Sequence, residues 1–227
     1  MSPAKKAHPY WRPLIESFKA AADPAKAMAM EQYMRNQFAF YGLSSPLRQQ
    51  LQTTFIKQFG FPKIDTLSEI IHNAWQLPQR EMQYAAMFVL KKQIKELPET
   101  AIELFQQLIV EKSWWDSIDF IAPNLVGEHF LRFPEIRDEV LASWMHSGNF
   151  WLQRSCLIFQ LKYKEQTDQE LLFEFCRQLG GEKEFFIRKA IGWSLRQYAR
   201  TAPQAVKHFV DSTDLQPLSK REALKHF

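Results

Sequence analysis

Helical segments begin at nearly even intervals along this chain, and the interval limits what it can fold into. Pro98 in LPET, Pro134 in FPEI, Thr167 in TDQE and Pro203 in TAPQ are separated by 36, 33 and 36 residues. Each opens a short stretch of helical period, and a longer helical stretch follows each one. A repeated helix pair of about 35 residues is how a chain builds an α-solenoid, because one pair cannot bury its apolar face alone. The expected class is therefore all-α: stacked antiparallel helix pairs of the HEAT-like kind. Strand alternation is absent, and only 7 glycines accompany 12 prolines, which argues against a tight-turned β fold. Residues 1–8 read as an N-terminal tail and 9–227 as a single domain. Before residue 66 the recurrence is poor.

Setting the longer helices in register at 35 residues gives two columns. One holds Tyr84, Asp119, Arg154 and Lys189, and the other holds Arg80, Trp115, Phe150 and Phe185. If the second helices of successive pairs line one surface, Asp119, Arg154 and Lys189 project from adjacent rungs about 10 Å apart. Side chains so placed can follow a phosphate backbone.

Charge agrees with that direction without demanding it. Residues 151–227 carry 13 Lys and Arg against 9 Asp and Glu, whereas residues 1–150 carry 16 of each. An excess of +4 confined to the C-terminal third permits a polyanionic partner, although a solvated basic face is the commoner outcome.

Several chemistries find no support. The chain has no GxxxxGK[ST] or GxGxxG for a nucleotide cofactor, no GxSxG elbow, and six dispersed histidines without metal-ligand spacing. No metal or cofactor is expected. Cys156 and Cys176 form no CxxC, so neither a disulfide framework nor a thiolate metal site is expected. No apolar signal region or membrane-length run occurs, and the expected location is the cytoplasm, away from membranes.

What remains is tryptophan, arginine and carboxylate. In EKSWWDSIDF, Trp115 and Asp119 are four apart and share a helix face. Most helical tryptophans are core anchors, and Trp114 and Trp151 fit that description. A carboxylate on the same face as Trp115 fits it poorly, because a buried acid needs a partner. An aromatic face beside a carboxylate suits a cation. In nucleic acid, such a centre arises when a purine ring nitrogen is alkylated. The base then leaves neutral, and a carboxylate near C1′ stabilises the positive charge that builds on the sugar.

At these residues the chain resembles the HEAT-like-repeat alkylpurine DNA glycosylases, the AlkD-type DNA alkylation repair family. The resemblance runs from Tyr10 to Phe227. It rests on YMRNQFAFYGL, KSWWDSIDFIAP, WLQRSCLIFQLKYK, KEFFIRKAIGWSLRQYA and LSKREALKH, in that order. It implies a C-shaped stack whose concave basic face grips duplex DNA and excises cationic N3- and N7-alkylpurines. It further implies monofunctional hydrolysis without drawing the base into a pocket. The implied catalytic acid is Asp119, and Trp115 and Trp193 bracket the deoxyribose. Arg154 is implied as a backbone contact and Tyr33 as a neighbour of the lesion strand. Lys162, Lys189 and Arg196 are implied phosphate contacts. Arg48 also fits a DNA contact, but Gln49 stands where a second basic residue is expected. An open groove for duplex DNA goes with a monomer. Two other readings remain: a non-catalytic solenoid that binds branched or damaged DNA, and a helical scaffold for proteins.

Overall fold

The computed structural model describes residues 6–227, so residues 1–5 of the expected tail lie outside the described residues. Residues 6–8 are tied down. The Asn73 side chain accepts from the His8 amide at 2.8 Å and donates to the Lys6 carbonyl. The fold is all-α, of the α-solenoid class. Among the described residues the only β feature is an isolated bridge between Ala39 and Gln79. Contacts group the chain into two compact units, one ending at Pro98 and the other beginning at Glu99.

The N-terminal unit holds α1 (Arg12–Ala20), α2 (Pro24–Tyr33), α3 (Ser45–Phe59), α4 (Ile64–Gln76) and α5 (Arg80–Gln93). Their starts follow from local chemistry. Proline in the first turn supplies a preset φ where no N–H is needed, as at α1, α2 and α3. The Asp23 carboxylate caps α2 by accepting from the Ala25 and Lys26 amides. The loop after α2 is fixed from α5. Buried Glu81 accepts the amides of Tyr41, Gly42 and Leu43, which satisfies donors that a loop would otherwise strand. Gly42 is obligatory there: its φ is +86°, and a Cβ would lie 2.1 Å from the Asp23 carbonyl.

The C-terminal unit is built in two layers. The first layer holds α6 (Ala101–Val110), α9 (Arg137–His146), α11 (Gln169–Gln178) and α13 (Pro203–Ser212), ten residues each. The expected order of a short helix followed by a longer one fails for α9 with the nine-residue helix after it and for α13 with the seven-residue helix after it. The first-layer helices touch their neighbours through side chains. Trp144 on α9 donates to Gln106 on α6 at 2.7 Å, and Phe173 on α11 stacks on Phe209 of α13 with centroids 4.2 Å apart. The second layer comprises α7 (Trp115–Ile121), α10 (Phe150–Ile158), α12 (Phe185–Tyr198) and α14 (Pro217–Ala223). Here α10 packs between α7 and α12, and α12 packs on α14. The helices α5, α7, α10 and α12 begin at residues 80, 115, 150 and 185, which is the 35-residue recurrence.

One rung departs from a plain helix. After α7 the backbone widens into a π-helical turn at Ala122–Val126 and resumes as α8 (Gly127–Arg132). Pro123 stands at the second position of this turn. It has no N–H to give the carbonyl four residues back, which belongs to Asp119. The Asn124 side-chain amide donates from Nδ2 to the Phe120 carbonyl at 2.8 Å and satisfies the next acceptor. No described helix is long and apolar enough to cross a membrane.

Candidate functional site

The site starts at the N-terminal ends of α7, α10 and α12. An aromatic cluster packs them together. Trp151 lies 4.9 Å from Phe186 and 4.6 Å from Phe150, and Trp114 meets Phe186 edge-on at 5.5 Å. Trp114 and Trp151 therefore serve as packing groups, as their sequence context suggests. The Trp114 indole nitrogen is buried with no hydrogen-bond partner among the described residues, which offer no account of it.

Asp119 sits one turn into α7, and Arg154 sits one turn into α10. Equal offset on adjacent rungs brings them into direct contact rather than leaving them a helix diameter apart. The Arg154 Nε and Nη2 groups both donate to Asp119 Oδ1, at 2.9 and 2.7 Å, and Nη1 donates to the Phe186 carbonyl on α12. All three guanidinium nitrogens are thus engaged, and the side chain is only 5% exposed. Arg154 is placed as a strut between α7, α10 and α12, and its buried fork does not present itself to solvent as a phosphate contact would.

The arrangement leaves Asp119 asymmetric. Oδ1 carries both guanidinium bonds, and among the described residues Oδ2 receives no donor. The side chain remains 22% exposed. Burial pushes its carboxyl above the usual aspartate range, Arg154 opposes this, and the nearby charge of Asp116 adds to the rise. Trp115 heads α7 on the same face and is half-buried, as is Trp193 on α12.

The expected phosphate contacts fall into separate settings. Lys189, Trp193 and Arg196 share a face of α12. Glu222 on α14 pairs with both cations: Lys189 Nζ lies 3.1 Å from Oε1, and Arg196 Nη1 lies 2.9 Å from Oε2. Arg196 Nη1 also donates to the Glu222 carbonyl at 2.9 Å. The two cations hold the Glu222 carboxyl below its usual range. Sequence reasoning missed Glu222. Its one trace is Gly192, where a Cβ would meet the Glu222 Cβ at 2.4 Å, so only glycine lets α14 approach this closely. Lys162 is exposed and donates to Asn124 Oδ1 in the π-helical turn.

Tyr33 and Arg48 belong to the N-terminal unit. Tyr33 ends α2 and is 71% exposed. Arg48 on α3 stacks its guanidinium 4.2 Å from the centre of the Tyr84 ring. Among the described residues no cluster of His, Cys, Asp and Glu could hold a metal ion. Cys156 and Cys176 are free and buried, and burial pushes the Cys176 thiol up to about 12 and raises that of Cys156 further, so neither is a poised nucleophile.

Against known proteins, a family model described as DNA alkylation repair enzyme matches residues 14–227. A solved structure described as a predicted DNA alkylation repair enzyme from Enterococcus faecalis superposes with a TM-score of 0.84 and 34% identity. The alignment covers 91% of this chain and 96% of that one. No curated protein matches the chain. With nearly its whole length matched by the family model, the chain belongs to the DNA alkylation repair enzyme family.

Proposed function

We propose that the protein is a monofunctional DNA glycosylase that hydrolyses the N-glycosidic bond of cationic N3- and N7-alkylpurines in duplex DNA. The observation that carries this reading is Asp119. One of its oxygens is fixed by two bonds from Arg154, the other has no donor among the described residues, and the carboxyl remains partly exposed. A carboxylate oriented in this way can face an electron-poor sugar carbon. As the C1′–N bond breaks, its electron pair leaves with the purine, which departs neutral and needs no general acid. Asp119 stabilises the positive charge on the sugar and orients the water that attacks C1′, and the proton of that water passes to solvent. Trp115 and Trp193 supply the aromatic faces that flank the deoxyribose and favour its developing charge.

In this reading Arg154 is a positioning residue rather than a phosphate contact. Lys162, Lys189, Arg196, Tyr33 and Arg48 remain proposed DNA contacts, and the protein works as a monomer. The base stays outside any enclosed pocket. The proposed chemistry calls for no metal or cofactor.

A second reading has an observation in its favour. The Asp119–Arg154 pair also satisfies itself as an interhelical strut, which a non-catalytic protein binding branched or damaged DNA would keep. The two readings part on one assay: base release from methylated duplex DNA by the purified wild-type protein. Free 7-methylguanine or 3-methyladenine is expected. Tight binding with no released base, across small and bulky N7 adducts, selects the non-catalytic reading.

A further inference from the structure

The helix that carries Asp119 runs into the π-helical turn at Ala122–Val126, and this turn is fastened to the segment that follows α10. Asn124 makes the fastening. Its side-chain Nδ2 donates to the Phe120 carbonyl at 2.8 Å, and its Oδ1 accepts from Lys162 Nζ. Two further contacts fix the start of α8 to the same segment. The Tyr163 hydroxyl donates to the Gly127 carbonyl at 2.6 Å. A Cβ on Gly127 would lie 2.4 Å from the Phe159 carbonyl, so only glycine permits this approach.

The turn decides where Asp119 points. Ile121 and Ala122, Leu125 and Val126, and His129 and Phe130 are buried as pairs spaced four residues apart. On a regular α-helix each step of four advances the face by about 40°, so two steps would carry it about 80° away from the core. The wider π-helical turn absorbs that advance and keeps the helix packed on both sides of it. Were the turn to tighten, one side would have to rotate. The α8 side is held by Gly127 and Tyr163, so the rotation falls on α7 and takes Asp119 away from Arg154.

We infer that Asn124 is a positioning residue for Asp119: by holding the π-helical turn against the segment after α10, it sets the rotation of α7 and so the direction of Asp119 Oδ2. Asn124 acts through α7, at the carbonyl of the residue that follows Asp119, and not on the substrate. Its effect on base release rests on the proposed glycosylase function, whereas its hold on the Asp119–Arg154 pair does not.

The test compares Asn124→Ala, which loses both side-chain bonds, with Asn124→Ser, whose hydroxyl can bond the carbonyl four residues back, at Phe120. The NMR resonance of the Arg154 Nε–H reports the bond to Asp119 in the absence of DNA. Single-turnover release of 7-methylguanine and duplex affinity are measured alongside. In Asn124→Ala the Nε–H resonance shifts, release slows about ten- to hundredfold, and duplex affinity stays within about twofold of wild type. Asn124→Ser recovers the wild-type resonance and most of the rate. Should Asn124→Ala fail to fold, Asn124→Asp takes its place: ionised, it keeps an acceptor for Lys162 but cannot donate to Phe120, and the same shift is expected. An unmoved resonance overturns the assignment, as does a moved resonance with an unchanged rate where wild type releases base. Wild type that releases no base defeats the glycosylase reading, and the resonance alone then decides whether Asn124 holds Asp119 in place.

Discussion

At the scale of single residues, the account turns on what Arg154 does. A phosphate contact and a buried strut make opposite demands on the same guanidinium. Because Arg154 is buried with all three nitrogens engaged, Arg154→Ala strands the half-buried Asp119 carboxylate and loses the bond to the Phe186 carbonyl. A cost of about 2–3 kcal/mol in unfolding free energy is expected, together with a large loss of base release. The salt slope of DNA binding stays unchanged; a slope lowered by about one unit would show that Arg154 lies on a phosphate after all. The aspartate adds a pH prediction. Its folded-state pKa is raised, with burial the largest cause. Between the ordinary aspartate value of about 3.9 and the raised value, the native protein holds the extra proton. In that window Asp119's contribution to stability falls as pH rises. Activity runs the other way, since the chemistry needs the ionised form. The acid limb of the base-release profile is therefore expected above the ordinary aspartate range, and Asp119→Asn removes that limb along with the activity.

At the scale of elements, packing follows the recurrence in the sequence. Turn residues at 98, 134, 167 and 203 announce the first-layer helices, and α5, α7, α10 and α12 begin 35 residues apart. Periodicity placed Asp119 and Arg154 at one level of the stack. It could not say whether side chains at that level would point outward in parallel or close on each other, because that depends on rotamers and on the carboxylate's need for a partner once buried. Two features were illegible for related reasons. The π-helical turn depends on how Pro123 is accommodated, and many proline-containing helices kink instead. Glu222 sits on α14, which begins 32 residues after α12 and so falls outside the register. Gly192 offers the element-scale test. In Gly192→Val the added carbons collide with Glu222 Cβ and approach the Ser219 carbonyl. The α14 helix must move off α12, at a cost of about 1–3 kcal/mol. Lys189 and Arg196 lose their shared carboxylate as a result, and thermal unfolding is expected at a lower temperature than in wild type.

At the scale of the whole molecule, the charge of +4 resides in the last 77 residues, which supply most of the cations proposed to meet DNA. The N-terminal unit contributes Tyr33 and Arg48, whose proposed DNA contacts rest on resemblance alone. The central proposal is that Asp119 drives hydrolysis of a cationic nucleoside's glycosidic bond. The most direct measurement is single-turnover release of 7-methylguanine from methylated duplex DNA by wild type and by Asp119→Asn, with duplex affinity measured alongside. The substituted amide keeps an oxygen for Arg154 to hold, so folding and affinity should persist. The account predicts release by wild type and its near-complete loss in the variant at unchanged affinity. Equal release by both proteins would contradict it.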